Sequence, residues 1–334
     1  MRQKLPDFPW DALAPYGAIA KKHPQGAIDL SVGTPVDPTP EFIQKAFQEA
    51  ANSPSYPVTV GTPELREAIT AWAKKYLGAT GDFGVLPLIG SKEFVAWLPT
   101  FIEAQSVLYP DVAYPTYLVG SLLAEADATP VSLDASQWPQ ADMAWVNSPS
   151  NPTGRVHSEA EFKAAIDWSR KNKSIVVSDE CYLEFGDSVK PTSILNYTGG
   201  DNTNILAVHS LSKRSSMAGY RAAFIVGDPA LIARILEVRK HAGMMVPLPV
   251  QVAMVAALSD EEHVVQQRAR YNARRATLAP ALRAAGFTIE NSEAGLYIWA
   301  TRNENCWDSV SWLAELGIIA TPGVFYGDLG ASHI

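Results

Sequence analysis

The chain has 334 residues, too many for one simple hydrophobic core, which predicts a large domain together with a smaller one. Its net charge of −8 argues against a nucleic-acid or anionic-membrane surface, and no apolar run approaches the roughly 20 residues that span a bilayer. The only two cysteines, Cys181 and Cys306, imply no disulfide framework, and residues 1–10 lack the apolar stretch of a signal peptide, so we expect a cytoplasmic protein.

Helical periodicity alternates along the chain with short apolar runs. Helices are predicted over 41–52, 63–77, 158–171, 229–241, 251–285 and 307–315, and Pro280 indicates a break or a new start within the fifth. Strands are predicted over 85–89, 106–109, 129–133, 143–147, 174–178, 205–209 and 222–226. This alternation favours an α/β fold with a mainly parallel sheet covered on both faces, while strands at 294–299 and 317–320 suggest a smaller α/β layer.

Polar clusters follow three of the predicted strands, at 147–152, 179–182 and 210–213. In open α/β sheets, ligands bind beyond the carboxyl ends of the strands. Three polar clusters at three strand ends form a shared site more often than they arise by chance, so we expect them to form one site.

Lys213 is the most informative residue of this site. A lysine at a strand end, with Ser210 before it and Arg221 eight residues after it, can form a Schiff base with an aldehyde cofactor whose phosphate the serine and arginine bind. Pyridoxal 5'-phosphate (PLP) has this chemistry. Asp179 follows an apolar run, where a carboxylate needs a cation such as a protonated pyridine nitrogen. Taken alone, the Lys-Arg pair is equally typical of a solvated surface, and the aspartate of a helix N-cap.

Other residues offer weaker signals with ordinary structural alternatives. Tyr182 and Asn151 can hydrogen-bond a phenolic oxygen, or serve in core packing and an Asn-Pro turn. Tyr117 can stack on a flat ring or simply pack. Gly90 and Ser91, followed by Lys92, open a predicted helix whose N–H groups suit a phosphate, or form an ordinary capped helix. The six histidines show no close metal-ligand spacing, so we predict no metal site.

These motifs, in this order, resemble the class I/II aminotransferases of PLP fold type I along nearly the whole chain. The resemblance implies a seven-stranded, mainly parallel sheet between helices, with a smaller α/β domain built from both termini. It divides the chain at 1–35 (N-terminal segment joining the small domain), 36–240 (large PLP-binding domain) and 241–334 (long helix and small domain, which we expect to be truncated). The implied cofactor-binding residues are Gly90, Ser91, Lys92, Tyr117, Asn151, Asp179, Tyr182, Ser210, Lys213, Arg221 and, from the partner subunit of a homodimer, Tyr56.

The resemblance also implies the reaction. Lys213 is the expected catalytic residue, Gly33 and Asn151 are expected to bind substrate, and 2-oxoglutarate is the expected acceptor in a ping-pong cycle. Within the family, the segments at 5–10, 114–117, 178–182 and 306–309 are most similar to the actinobacterial N-succinyldiaminopimelate aminotransferases of lysine biosynthesis. Aspartate, alanine or LL-diaminopimelate aminotransfer, or β-lyase chemistry, stays open. A non-catalytic PLP-binding or regulatory module and a nucleotide-binding protein rank lower, because no DNA-binding segment, Gly-x-Gly-x-x-Gly or Walker pattern is found.

One family feature is expected just past the printed sequence. Family members hold the substrate α-carboxylate with a C-terminal arginine, and by the spacing from the segment at 322–327 it would follow Ile334 directly. We therefore expect the printed chain to be a fragment or a truncated protein. Which cations bind further substrate carboxylates is not decided by the sequence, and Lys92 could face either the cofactor or the substrate.

Overall fold

A seven-stranded sheet forms the centre of the protein, in a computed structural model that describes residues 5–334. Its strands are β2 (Gly84–Ile89), β3 (Ser106–Pro110), β4 (Asp127–Val131), β5 (Met143–Asn147), β6 (Ile175–Asp179), β7 (Ile205–Ser210) and β8 (Ala222–Gly227). The spatial order is β2-β8-β7-β6-β5-β3-β4, in which only β8 runs antiparallel to its neighbours. The predicted mainly parallel sheet is confirmed.

Residues 5–334 form eleven α-helices of four or more residues. They are α1 (Ala14–Ala20), α2 (Glu41–Glu49), α3 (Pro63–Trp72), α4 (Ser91–Phe101), α5 (Thr116–Leu123), α6 (Glu159–Asn172), α7 (Leu211–Arg214), α8 (Pro229–His241), α9 (Leu248–Ser259), α10 (Glu262–Ala284) and α11 (Cys306–Glu315). Their starts follow the sequence locally: Ser158 and Glu161 form a capping box at α6, and Asp228 caps α8 ahead of Pro229. Along the described chain, no helix combines the length and apolarity needed to cross a membrane.

Both faces of the central sheet are buried. Val176 packs in a core that includes residues of α2, α3, α6 and α9, and its neighbour Val177 packs in a second core with α4, α5 and α8. Successive side chains of a strand point to opposite faces, so a strand covered on both faces is apolar at every position. This is why the central strands read as continuous apolar runs in the sequence.

Two short sheets lie outside the central one. β1 (Ile28–Asp29) pairs in parallel with β11 (Ile318–Ile319), so the N-terminal segment joins the C-terminal part of the chain. β9 (Thr288–Glu290) pairs in antiparallel fashion with β10 (Trp299–Thr301). The division at 1–35, 36–240 and 241–334 stays a prediction, and residues 1–4 of its first segment lie outside the described residues.

Two predicted elements of the C-terminal part are wrong. The stretch 251–285 is divided between α9 and α10 at Asp260, whose carboxylate accepts from the backbone N–H of His263, 3.0 Å away, and so starts a new helix. Pro280 lies inside α10 at an exposed position, where water can reach the carbonyl that a proline leaves unpaired. The predicted strand 294–299 is irregular up to residue 298, because residues 292–295 hydrogen-bond to loops of the central sheet instead.

Candidate active site

The three polar clusters converge as predicted, because β5, β6 and β7 are adjacent. The register pairs Asn147 with Asp179, and Asp179 with Val208, which brings the carboxyl ends of these strands to one edge. Beyond that edge lies a cavity of about 420 Å³, and Asn151, Asp179 and Lys213 are among the residues that line it.

Lys213 reaches this cavity from the short helix α7. Ser210 ends β7, and its hydroxyl accepts from the backbone N–H of Ser212 at 3.1 Å, which caps the turn that carries the lysine. The Lys213 ammonium donates to the backbone carbonyl of Gly33. Burial, with a smaller contribution from Arg221, lowers the pKa of Lys213 to about 8. An appreciable fraction of the amine is therefore unprotonated near neutral pH, as a nucleophile requires.

Asp179 is a buried carboxylate at the centre of the site, 7% exposed. The Tyr117 hydroxyl donates to its Oδ2 at 2.9 Å, and the backbone N–H of Cys181 donates to its Oδ1 at 3.2 Å. Burial raises the pKa of Asp179, and these two donors oppose the rise. Within residues 5–334 no lysine, arginine or histidine forms an ion pair with it, so a cationic ligand group would stabilise its charge.

Tyr117 lies behind Asp179 in an arrangement that the sequence did not indicate. The ring is fully buried and stacks on Trp145, with 5.0 Å between ring centroids, and Tyr117 also lines the cavity, so its stacking on a cofactor stays a prediction. Its hydroxyl is committed to Asp179. Tyr114 packs edge-on against Tyr117 and also lines the cavity, which makes it the better candidate for contact with a flat ring.

Asn151 and Tyr182 line the same cavity as Asp179. The backbone N–H of Asn151 donates to the side chain of Asn147 at 2.7 Å, and the buried side-chain oxygen of Asn151 has no hydrogen-bond partner among residues 5–334. The Tyr182 hydroxyl is 2.8 Å from the hydroxyl of Tyr297. Burial raises the pKa of Tyr182 well above its usual value and that of Tyr297 to about 12, so both hydroxyls are protonated at neutral pH.

The predicted phosphate-binding residues lie together at one end of the cavity. Gly90 has a φ of +79° and precedes Ser91, the first residue of α4. This left-handed φ favours glycine, and a Cβ at Gly90 would force the guanidinium of Arg221 to move. Arg221, the N–H groups that open α4, and the hydroxyl of Ser210 offer the donors that an anion needs.

The chemical groups that line the cavity match those of PLP. The cavity offers a lysine of lowered pKa, a buried carboxylate without a cation, a buried amide oxygen without a partner, and an arginine beside a helix start. Lys213 would hold the aldehyde carbon, Asp179 the ring nitrogen, Asn151 and Tyr182 the phenolic oxygen, and Ser91, Ser210 and Arg221 the phosphate. When bound, PLP supplies an aldehyde that exchanges amino groups and a ring that delocalises negative charge.

The remaining two predicted site residues are Gly33 and Tyr56, and only the first lies at the cavity. Gly33 lines the cavity, and a Cβ there would lie 2.7 Å from the Tyr297 hydroxyl. Tyr56 is 93% exposed and does not line the cavity of its own chain. Several further lining residues had no predicted role: Phe8, Trp10, Tyr114, Cys181, Tyr297 and Tyr326.

Comparison with known proteins agrees with this site. The chain is 52% identical to the probable aminotransferase Rv1178 of Mycobacterium tuberculosis, over 99% of this chain and 81% of that protein. It is 49% identical to the 4-dedimethylamino-4-oxo-anhydrotetracycline transaminase OxyQ of Streptomyces rimosus, over 99% and 94%. A solved structure titled probable N-succinyldiaminopimelate aminotransferase, from Thermus thermophilus, matches with a TM-score of 0.88 at 26% identity, covering 98% of this chain and 94% of that one.

A family model described as aminotransferase class I and II matches residues 25–328, a range that includes every predicted site residue. The chain therefore belongs to the class I and II aminotransferases, a PLP-dependent family of enzymes.

Proposed function

We propose that this aminotransferase moves an amino group from N-succinyl-LL-2,6-diaminopimelate to 2-oxoglutarate, or the reverse, in lysine biosynthesis. The observation that carries the proposal is the composition of the cavity. We call the part of the cavity lined by Asp179, Ser210 and Lys213 its inner end, and the part lined by Phe8, Trp10 and Val32 with the ammonium of Lys92 its outer end. Such a cavity suits a substrate with an apolar chain and a distal carboxylate.

The chain's own residues supply the proton transfers and the orientation. With its lowered pKa, the Lys213 Nζ can accept a proton from a substrate carbon and return it, once the cofactor is held by other contacts. Asp179 keeps a cationic ring nitrogen protonated, since a buried carboxylate favours a positive neighbour. Asn151 and Tyr182 would orient the ring by hydrogen bonds to its phenolic oxygen. The same groups serve both halves of a ping-pong cycle, in which the amino acid leaves as a keto acid before 2-oxoglutarate enters.

Lys92 is the candidate for the distal carboxylate. Its ammonium lies 5.4 Å from the centroid of the Phe8 ring, and no carboxylate within residues 5–334 forms an ion pair with it. Partial burial, and next the charge of Arg221, lower the pKa of Lys92. A substrate carboxylate would relieve both effects. The name of the Thermus structure supports this choice of donor, as do the sequence segments that resemble N-succinyldiaminopimelate aminotransferases.

A panel of amino donors tests the proposal. The purified holoenzyme is assayed with 2-oxoglutarate and N-succinyl-LL-diaminopimelate, LL-diaminopimelate, aspartate or alanine, and glutamate formation is followed. We expect the succinylated donor to have the highest kcat/KM, by up to about fivefold, because the others lack the amide-linked carboxylate or the chain length to reach Lys92. A higher kcat/KM for any of the other three would contradict the proposed donor, while leaving aminotransfer intact.

A second candidate is amination of a polycyclic ketone, as the name of the Streptomyces rimosus relative describes. The aromatic residues of the outer cavity favour it: Trp10 packs edge-on against Tyr326, and both line the cavity with Phe8. Flat apolar rings bind well against such walls. Adding an aromatic ketone with glutamate as donor to the same panel decides between the two, since only this candidate predicts turnover of the ketone.

We also propose a homodimer in which Tyr56 reaches the partner's site, and its 93% exposure in one chain supports this. Mixing the inactive variants Lys213→Ala and Tyr56→Ala tests it. If the tyrosine acts across the interface, each hybrid dimer has one intact site, and unfolding, remixing and refolding should restore about a quarter of wild-type activity. If Tyr56 acts within its own chain, the hybrids stay inactive.

A further inference from the structure

Tyr297 belongs to a segment that the central sheet holds tightly. The backbone N–H groups of Ser292 and Gly295 donate to the carbonyls of Thr153 and Phe185, at 3.0 and 2.8 Å. Arg275, a buried residue of α10, donates to the carbonyls of Ser292 and Gly295 from the other side. The segment is therefore fixed at both the asparagine loop and the loop that follows Tyr182. Because only Leu296 separates Tyr297 from Gly295, the position of the Tyr297 ring is defined.

The hydroxyl of Tyr297 has one hydrogen-bond partner among residues 5–334, the hydroxyl of Tyr182 at 2.8 Å. The two rings meet edge to face, with 5.5 Å between centroids. Gly33 covers the Tyr297 hydroxyl on another side, so closely that a Cβ there would lie 2.7 Å away. The geometry alone allows either hydroxyl to be the donor in the Tyr182–Tyr297 hydrogen bond.

The direction of this hydrogen bond decides what Tyr182 can do. Each hydroxyl has one proton and can accept from two donors. If Tyr297 donates to Tyr182, the proton of Tyr182 is free to point into the cavity, where the phenolic oxygen of a bound PLP would accept it. If Tyr182 donated to Tyr297, the cavity would face a lone pair instead. With PLP bound, its phenolic oxygen would accept the single proton of Tyr182, which leaves Tyr297 as the donor between the two tyrosines.

We propose that Tyr297 is a positioning residue for aminotransfer, which acts by donating to Tyr182 and so directs the Tyr182 proton to the cofactor. It does not need to touch substrate or cofactor. The inference rests on membership of the aminotransferase family and not on the proposed amino donor, so the two can fail separately.

Tyr297→Phe removes the hydroxyl and keeps the ring. We expect PLP to bind the apoprotein about three- to tenfold more weakly, as measured by titration of the visible absorbance, because one buried hydrogen bond is lost from the chain of donors. The pH midpoint of the visible absorbance of bound PLP should rise, because Tyr182 that no longer accepts from Tyr297 is a weaker donor, and the phenolic oxygen then holds more negative charge and stabilises a protonated nitrogen nearby. KM for the amino donor should stay within about twofold of the wild-type value.

Other titratable groups near Tyr182 and Tyr297 also contribute to the pH midpoint. They come from the end of β6, from the loop before α5, from α10 and from α7, and are Asp179, Cys181, Tyr114, Tyr271 and Lys213. Tyr271→Phe is the matched control, because Tyr271 belongs to the same aromatic cluster but does not line the cavity. It should leave both the PLP affinity and the midpoint unchanged.

A double-mutant cycle separates positioning from other roles. If Tyr297 acts through Tyr182, Tyr297→Phe should have no further effect on PLP affinity in a Tyr182→Phe background. An undiminished effect in that background overturns the proposal. So does a Tyr297→Phe enzyme with unchanged PLP affinity and midpoint but a raised KM, which would place the hydroxyl on the substrate. A lower melting temperature with neither spectroscopic change would reduce Tyr297 to a packing residue.

Discussion

The inner and outer ends of the cavity are built in different ways. Asp179 and Ser210 are the last residues of adjacent strands, and both are buried and hydrogen-bonded. At the outer end, Phe8 and Val32 come from the irregular N-terminal segment, and each is 53% exposed. Sheet register fixes the position of the first group, whereas the second can change without disturbing the core. The difference indicates that cofactor chemistry is built into the fold and that substrate choice is added by loops.

The sharpest test of the inner end is Lys213→Ala. Without the amine, the cofactor has no covalent anchor and the substrate carbon no base, so we expect kcat to fall by about 10⁴-fold or more. The visible absorbance of lysine-bound PLP should disappear as well. Lys240→Ala, at an exposed lysine paired with Glu237, is the control and should be indistinguishable from wild type. Turnover of a natural donor by Lys213→Ala would remove Lys213 from the catalytic role.

Tyr117→Phe tests whether the hydrogen bond from Tyr117 to Asp179 contributes to cofactor binding at the inner end. The variant keeps the ring but removes the donor to Asp179, so the carboxylate loses a hydrogen bond and its pKa should rise. We expect PLP affinity to fall about tenfold or more, as is typical of a hydrogen bond to a charged group. The measurement is an equilibrium titration of apoprotein. If Tyr117 served only by stacking, the phenylalanine variant would bind PLP normally, and Tyr114→Phe provides the matched comparison.

The contrast between the two ends also explains what the sequence could predict. The central strands were found because they are apolar at every position, and the site residues at their ends followed from the parallel arrangement. Lys213, Asp179 and Asn151 converge for this reason. The contacts of Tyr117 could not be predicted, because its orientation depends on Trp145, which lies in β5, whereas Tyr117 lies in α5. No local pattern contains that information.

The residues that line the outer end could not be assigned to the cavity from the sequence, for a related reason. Phe8, Trp10 and Tyr297 reach the cavity through pairing of distant segments, such as β1 with β11, and through backbone hydrogen bonds to loops of the central sheet. The error over 294–299 has the same origin, because an apolar run that packs beside the cavity has the periodicity of a strand without a neighbour to pair with. Tertiary contacts decide such segments, and composition does not.

The pH dependence of PLP capture tests the electrostatics of the inner end. Burial lowers the pKa of Lys213 from 10.5 to about 8, so the unprotonated amine increases as the pH rises through 8. The rate at which apoprotein binds PLP covalently should therefore increase about fivefold between about pH 7 and pH 8 and level off above about pH 9. Stopped-flow absorbance at constant ionic strength measures it. A rate that still rises steeply between about pH 9 and pH 10 would show that the amine keeps an ordinary pKa.

Lys92→Met probes the boundary between the two ends and carries the smallest expected effect. The ammonium is solvent-accessible at the cavity mouth, so a carboxylate bound there gains at most about 1 kcal/mol, equivalent to about a fivefold rise in KM for the succinylated donor. PLP affinity and kcat should change by less than about twofold, and Lys92→Arg should keep the wild-type KM. If PLP affinity falls instead while KM is unchanged, Lys92 faces the phosphate beside Arg221. The inner end would then include the first turn of α4 as far as Lys92, and a distal carboxylate would have to find its cation elsewhere.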